Sequence, residues 1–251
     1  MTSRIGIWAV RARARDTGVL LARRLGGTLS SPQEPAGTQK DQFRALFPQY
    51  SHWVLIMTTG IAVRYLDGAV TDKHHDPAVV VLDEGCRYAV SLLGGHEAGA
   101  NALAYSVANV VGAIPVVTTA TEALKPLVMG IGCRKGVSVE QIESAARHAL
   151  GQRPLEDLRE IATIDRKANE PALLRFCELH RIPLRILSTE QIAARAWVTQ
   201  PSTWVQEQIG VDGVCEPCAL ICSPRGTLLV PKTSVQGVAV AVVEDRYGVA
   251  S

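Results

Sequence analysis

Lys73, Asp76, Asp83, Glu84 and His96 crowd into one short stretch of the chain. Carboxylates, and an imidazole whose reference pKa lies near neutrality, are the side chains that take a proton from water and return it in general acid–base chemistry. They sit in DKHHDP (72–77), in LDEG (82–85) and in a glycine loop, all beside apolar runs of strand length. Charges in such places also serve as ordinary solvated turns, and a lone histidine in a glycine loop is often a hydrogen-bonded structural residue. Helical spacing from His96 would bring Glu97 and Asn101 to the same side of the first turn.

Several apolar runs lead into glycine-rich or polar segments: TTG (58–60), GGHEAGAN (94–101), ATE (120–122) and GIGCRKG (130–136). Where such a segment opens a helix, free N–H groups and the positive dipole end attract carboxylate or phosphate. Three together point to a ligand with several anionic groups; the alternative is that the glycines allow tight strand-to-helix turns. GIGCRKG has the first G-x-G of a dinucleotide fingerprint, but its third glycine comes one residue late. No acidic residue about 20 positions on completes the pattern.

Cys215 and Cys218 form a C-x-x-C, and Cys222 follows at helical spacing. A zinc site needs a second ligand pair, which the sequence does not offer. Three small side chains packed in a core is the plainer reading; a redox pair or an iron–sulfur ligand set is the alternative. Cys133, in a glycine segment, reads as a candidate thiol at a helix N-terminus.

These residues need a scaffold, and the apolar pattern supplies one. Strands are predicted at 5–10, 52–57, 78–83, 88–93, 114–119, 126–131, 160–165 and 184–188. Helices are predicted at 16–25, 97–111, 139–150, 170–180, 202–209 and 216–222, with a polar loop over 30–41. Ser138 and Gln141 have the spacing of a capping box. The runs 227–232 and 237–244 form a closing hairpin. Alternating strands and helices predict an α/β chain of two small domains, 1–122 and 123–251, each a largely parallel sheet with flanking helices. With 26 basic against 24 acidic residues, the charge is too balanced to imply nucleic acid or a membrane surface. Arg11, Arg13, Arg15, Arg23 and Arg24 are the exception, opposed only by Asp16, and read as a solvated helix face. No signal peptide or membrane span is recognisable, so a cytoplasmic location with mostly reduced cysteines is expected.

The segments TTGIAVRYL (58–66), DKHHDPAVVVLDEGCRYAVSLLGGHEAGANALA (72–104) and IPVVTTATE (114–122) resemble the N-terminal domain of the CbiG family of cobalamin biosynthesis. VMGIGCRKGVS (128–138), IATIDRKANEPAL (161–173), VCEPCAL (214–220) and LLVPK (228–232) resemble its C-terminal domain, which is shared with the CobE proteins. The resemblance spans nearly the whole chain, more loosely over the first 50 residues. One departure is plain: family members usually carry a middle segment, whereas here ATE passes almost directly into PLVMGIG.

The resemblance implies an enzyme acting on cobalt-precorrin-5A, opening its δ-lactone with water and releasing acetaldehyde. It implies no resident cofactor, because cobalt arrives with the substrate. Lactone opening needs a base for water and donors for the developing oxyanion. Glu84 or His96 is the expected base, with Asp76 behind them and Lys73 stabilising the anionic product. The backbone at Gly94 and Gly95 is the expected oxyanion site. Thr59, Gly60, Arg64, Asn101, Gly130, Gly132, Arg134, Lys167, Glu216 and Lys232 are the expected contacts to a polyacid macrocycle. Other corrin-pathway enzymes and further copies of the chain are candidate partners, and neither nucleic acid nor membrane is. The rival readings are a corrinoid-binding accessory protein, a redox or metal protein built on Cys215, Cys218 and Cys222, and a nucleotide-binding α/β protein.

Overall fold

The computed structural model describes residues 4–33, 37–195 and 198–245. Part of the predicted loop 30–41, residues 34–36, lies outside the described residues. The chain divides into two compact units that meet in sequence at Thr119 and Ala120. Each is an α/β layer structure, as the alternating pattern requires.

Unit 1 contains β1 (Ile5–Ala9), α1 (Ala12–Leu25), β2 (Thr28–Ser30), α2 (Gln39–Leu46), β3 (His52–Ile56), α3 (Thr59–Leu66), β4 (Ala78–Leu82), β5 (Tyr88–Leu93), α4 (Ala100–Val111) and β6 (Ile114–Val116). The sheet order is β2-β1-β3-β4-β5-β6, and every neighbouring pair is parallel except β4 with β5. The central strands are apolar throughout because helices cover both faces. Period-two alternation sends Ile7, Val54, Ile56 and Val80 toward α1 and α4, and Trp8, Trp53, Leu55 and Val81 toward α2 and α3. The reversal between β4 and β5 is tied by the Asp83 carboxylate, which accepts N–H bonds from Gly85, Arg87 and Tyr88.

Unit 2 contains α5 (Ala120–Ala123), β7 (Leu127–Cys133), α6 (Val139–Leu150), β8 (Leu158–Ile164), α7 (Pro171–His180), β9 (Leu184–Leu187), α8 (Thr189–Ala193), α9 (Thr203–Ile209), α10 (Cys215–Cys222), β10 (Thr227–Val235) and β11 (Val238–Glu244). Its sheet runs β10-β11-β7-β8-β9. β7, β8 and β9 are parallel, and the β10–β11 hairpin joins antiparallel to β7. The α6 capping box forms with both of its bonds, between Ser138 and Gln141. Helices α6 and α7 pack on the face carrying Met129, Ile131 and Ile161. Helix α10 covers the other, against Val128, Ala162 and Ile164.

Four local expectations are corrected. The short strand β2 and the polar helix α2 stand where the sequence read as loop or carried no assignment; Thr38 caps α2 by accepting from Asp41 N–H. Helix α4 starts at Ala100, not Glu97, because Gly94 (φ +69°) and Gly99 (φ +88°) turn left-handed before it. β6 ends at Val116. β7 runs on through Gly132 and Cys133, two residues past the predicted strand 126–131.

Candidate functional site

In an open α/β sheet, ligands bind beyond the carboxyl ends of strands where the chain switches direction. In unit 1 that point lies between β1, whose connection leads outward to β2, and β3, whose connection leads the other way to β4. A cavity of about 450 Å³ opens there. Val10, Arg11, Met57, Thr58, Glu84 and Arg87 line it from the strand ends, with Ile61 and Tyr65 from α3 and Gln39 from α2.

Two carboxylates line this cavity, Asp83, which is committed to its turn, and Glu84. Glu84 is about two-thirds buried and pairs with Arg11 at 3.4 Å, whose side chain is 73% exposed. An ion pair so open to water contributes no more than about 1 kcal/mol, so an incoming anion can take Arg11 over at little cost. Burial pushes the neighbouring Asp83 carboxyl up. The N–H groups of Tyr88, Arg87 and Gly85, with the Arg87 side chain, outweigh that and hold it below the ordinary range. Desolvation raises the Tyr65 phenol, which donates to Gln39 Oε1 at 3.1 Å. At the mouth of α3, Thr58 makes no side-chain cap. The N–H groups of Thr59 and Gly60 precede the first intrahelical bonds. Arg64 folds back to the Gly60 carbonyl at 3.3 Å. Among the described residues no Ser, Cys or His lines the cavity. Its chemistry is therefore that of a carboxylate acting on water, with Arg11, Arg87 and Tyr65 as donors to developing negative charge.

The four expected acid–base residues do not form one cluster. Because β5 runs antiparallel to β4, with Val79 opposite Leu93 and Leu82 opposite Ala89, Glu84 and His96 leave opposite ends of the sheet. Three strand steps alone separate those ends by about 10 Å. His96, Lys73 and Asp76 lie at the pole where β3 and β4 begin, the first two exposed. Asp76 is buried, and its carboxylate is occupied by Thr71 N–H, the Thr71 hydroxyl and Asp72 N–H. It staples its loop and has no lone pair set aside for water.

Gly94 and Gly95 also lie at that far pole. Their carbonyls accept from Ala98, Ala100 and Asn101, which consumes the donors at the start of α4. A Cβ on Gly95 would meet Thr119 Cγ2 at 2.7 Å and Asn101 Oδ1 at 2.9 Å, so the position is filled and no oxyanion hole opens there. Asn101 accepts from the Ser91 hydroxyl at 2.8 Å and donates to Thr119 Oγ1 at 2.9 Å. It clamps β5, α4 and the end of the unit.

In unit 2, Gly130 and Gly132 serve packing. A Cβ on Gly130 would lie 1.7 Å from the Cys215 carbonyl oxygen, and one on Gly132 would touch Val214 at 3.5 Å. Glu216 is 1% exposed and accepts from Thr199 N–H, the Thr199 hydroxyl and Lys232 N–H. Lys232 sends its Nζ to the Gln200 carbonyl at 3.4 Å. Both residues tie the 199–200 segment and β10 to α10 and do not present themselves to a ligand. Arg134 is exposed, with its N–H on the Gly237 carbonyl. Lys167 pairs with the buried Glu170 at 3.2 Å, and Glu170 also accepts from Gly136 N–H.

The reading of Cys133 as a helix N-terminal thiol is corrected, whereas Cys215 and Cys218 pack in the core as the plainer reading had it. Cys133 ends β7, and burial raises its thiol although Lys167 pulls the other way. Burial pushes Cys215 up to about 12 and Cys218 well above the ordinary thiol range. Among the described residues no group of three or more Cys, His, Asp or Glu could hold a metal ion. No helix among them is long and apolar enough to cross a membrane.

Sequence reasoning passed over Gln39, Tyr65 and Arg87, and took Arg11 for a surface charge. Its only signal for Arg11 was the position, directly after a strand that proves central.

The profile of the family described as cobalamin synthesis G N-terminal matches residues 41–122, and that described as cobalamin synthesis G C-terminus matches 127–243. A cobalt-precorrin-5A hydrolase of Salmonella typhimurium is 52% identical over 79 residues, covering 32% of this chain and 22% of that protein. One of Priestia megaterium is 22% identical over 312 aligned positions, covering 84% of this chain and 83% of its own. That alignment is longer than this chain, so the relative carries residues that have no counterpart here. Protein CobE of a Sinorhizobium species is 30% identical over 126 residues, covering 49% of this chain and 82% of CobE.

Proposed function

Because the chain belongs to the CbiG family of cobalamin synthesis proteins, we propose that it hydrolyses cobalt-precorrin-5A, opening the δ-lactone and releasing acetaldehyde. The observation that carries this is Glu84, a carboxylate at the switch-point cavity, beside a guanidinium that it holds only weakly. In this reading a substrate carboxylate draws Arg11 away. Glu84 then takes a proton from water as the water attacks the lactone carbonyl, and returns it to the ring oxygen as the C–O bond breaks. Deprotonation of the freed hydroxyl next lets the adjacent C–C bond break, acetaldehyde leaving and the electron pair staying on the macrocycle. Arg87, Tyr65 and the free N–H groups at Thr59 and Gly60 stabilise the oxyanion. Cobalt belongs to the substrate. Of the residues named from the sequence, the N–H groups of Thr59 and Gly60 join Glu84 in this reading, whereas Arg64, His96, Asp76 and Lys73 leave it.

The test is incubation of the purified chain with cobalt-precorrin-5A, followed by an acetaldehyde assay and mass measurement of the corrinoid. Glu84→Gln is expected to lower kcat by about 10²–10⁴, the usual contribution of a positioned base, with the fold unchanged. Full activity in that variant would remove Glu84 from the mechanism.

A second reading, a non-catalytic corrinoid-binding protein of the same pathway, is favoured by the stretch that the Priestia relative has and this chain lacks. Tight corrinoid binding without acetaldehyde would select it.

A further inference from the structure

At the pole opposite Glu84, unit 1 holds a larger cavity of about 940 Å³, near the upper end of the range for small-molecule sites. Phe47, Pro48, Ala69, Pro77 and Ala98 give it apolar walls. Two guanidinium groups line it, Arg4 and Arg44. Arg4 lies over the Tyr50 ring at 5.6 Å, a stacking that steadies the cation and leaves its donor edge open. Arg44 is held at Nη2 by a contact of 3.8 Å to Asp67, and that carboxylate already takes Lys40 at 3.2 Å. The Arg44 Nε is shielded from water and has no hydrogen-bond partner among the described residues. A buried, unmet N–H on a charged group is costly and calls for a partner.

The acidic groups near this cavity are already committed. Asp76 is filled by Thr71 and Asp72, and Asp72 takes the His75 ring at 2.8 Å. The His52 ring meets the Ser51 hydroxyl at 3.0 Å, and burial lowers its pKa against a bond to the Ala98 backbone. The lining carries two guanidinium charges against the single carboxylate of Asp76, whose hydrogen bonds come from uncharged donors, so it is net positive.

We propose that this cavity binds a multiply charged oxyanion, a small molecule bearing carboxylate or phosphate groups, with Arg4 and Arg44 as the clamp. The Nε of Arg44, unmet by the protein, shares one edge of the guanidinium with Nη2, which Asp67 holds only at 3.8 Å. That edge is the one a guanidinium offers to carboxylate or phosphate in paired bonds. The site stands apart from the proposed hydrolase cavity and does not depend on that activity.

Titration calorimetry of the full chain with pyrophosphate and with citrate, at fixed ionic strength, tests it. One-site binding of either supports the proposal, and the tighter of the two tells phosphate from carboxylate chemistry. Arg44→Gln and Arg4→Gln are each expected to weaken binding at least tenfold, while Arg23→Gln, an exposed charge on α1, leaves it unchanged. Amide shifts in an NMR titration should centre on residues 47–52 and 68–77. Absence of heat with both anions at millimolar concentration, equal weakening by Arg23→Gln, or shifts centred elsewhere would each overturn it. Should Arg44→Gln fail to fold, Arg4→Gln and the shift map decide.

Discussion

Replacing Glu216 by alanine separates the two roles that this residue has been given. Sequence reasoning made it a contact to the macrocycle; the structure makes it a clip. Its carboxylate sits in the first turn of α10, where the helix dipole already favours negative charge. It receives three donors, two from Thr199 and one from Lys232. Hydrogen bonds to a charged group are worth roughly 1.5–3 kcal/mol each. Water entering the vacated space recovers part of the sum, leaving a net loss of about 3–5 kcal/mol, the range seen when one partner of a buried charged group is removed. For a domain of this size that lowers the melting temperature by about 12–20 °C. Glu216→Gln keeps one acceptor oxygen and should lose about half as much. Thermal melting followed by circular dichroism reads both variants. A melting point within about 3 °C of the parent for Glu216→Ala, together with a tenfold loss of corrinoid binding, would refute the clip and restore the ligand role.

Three further outcomes are expected. Gly130→Ala drives a methyl group into the Cys215 carbonyl and should cost at least about 3 kcal/mol, visible as a lower denaturation midpoint or as insoluble protein. Asn101→Ala breaks the chain from Ser91 to Thr119 and should destabilise by about 1–3 kcal/mol, with faster amide exchange in the 94–101 turn and no loss of hydrolysis at temperatures where the fold persists. Burial lowers the folded-state pKa of His52 below its unfolded value, so the unfolded chain binds the extra proton first. Its contribution to stability is therefore complete above about pH 6.5 and declines as pH falls from there to the folded pKa. His52→Gln should flatten that part of a stability–pH profile measured by denaturant titration, and an unchanged slope would count against it.

The fold was legible wherever one strong pattern dominated. Apolar runs located β3, β4, β5 and β7 to within two residues, and Ser138 with Gln141 gave the start of α6. The polar helix α2 was missed because a single buried residue, Phe43, faces its core. The site was less legible for a topological reason. Proximity along the chain made Glu84 and His96 look like neighbours, yet one antiparallel pairing, β4 with β5, sends them to opposite ends. The spacing does encode that reversal, since four residues between the predicted strands 78–83 and 88–93 are too few for a parallel crossover, but reading along the chain left it undrawn. Arg11 and Glu84 meet across 73 positions, a contact that only the strand order creates.

The three glycine segments show why composition overstates anion binding. In GIGCRKG the first two glycines lie within β7, where Gly130 lets the backbone of α10 approach and Gly132 makes room for the Val214 side chain. In GGHEAGAN the donors that open α4 are spent on the carbonyls of Gly94 and Gly95. Only TTG leads into a helix whose first N–H groups stay uncommitted, and that helix borders the cavity holding Glu84. A helix start carries roughly half a positive charge, so it attracts an anion without choosing one. Choice must come from the side chains beside it, which here are Tyr65, fixed by its bond to Gln39, and the exposed, adjustable Arg11 and Arg87. A segment therefore earns a place in the site by what its N–H groups still lack after folding, and glycine content alone does not report that.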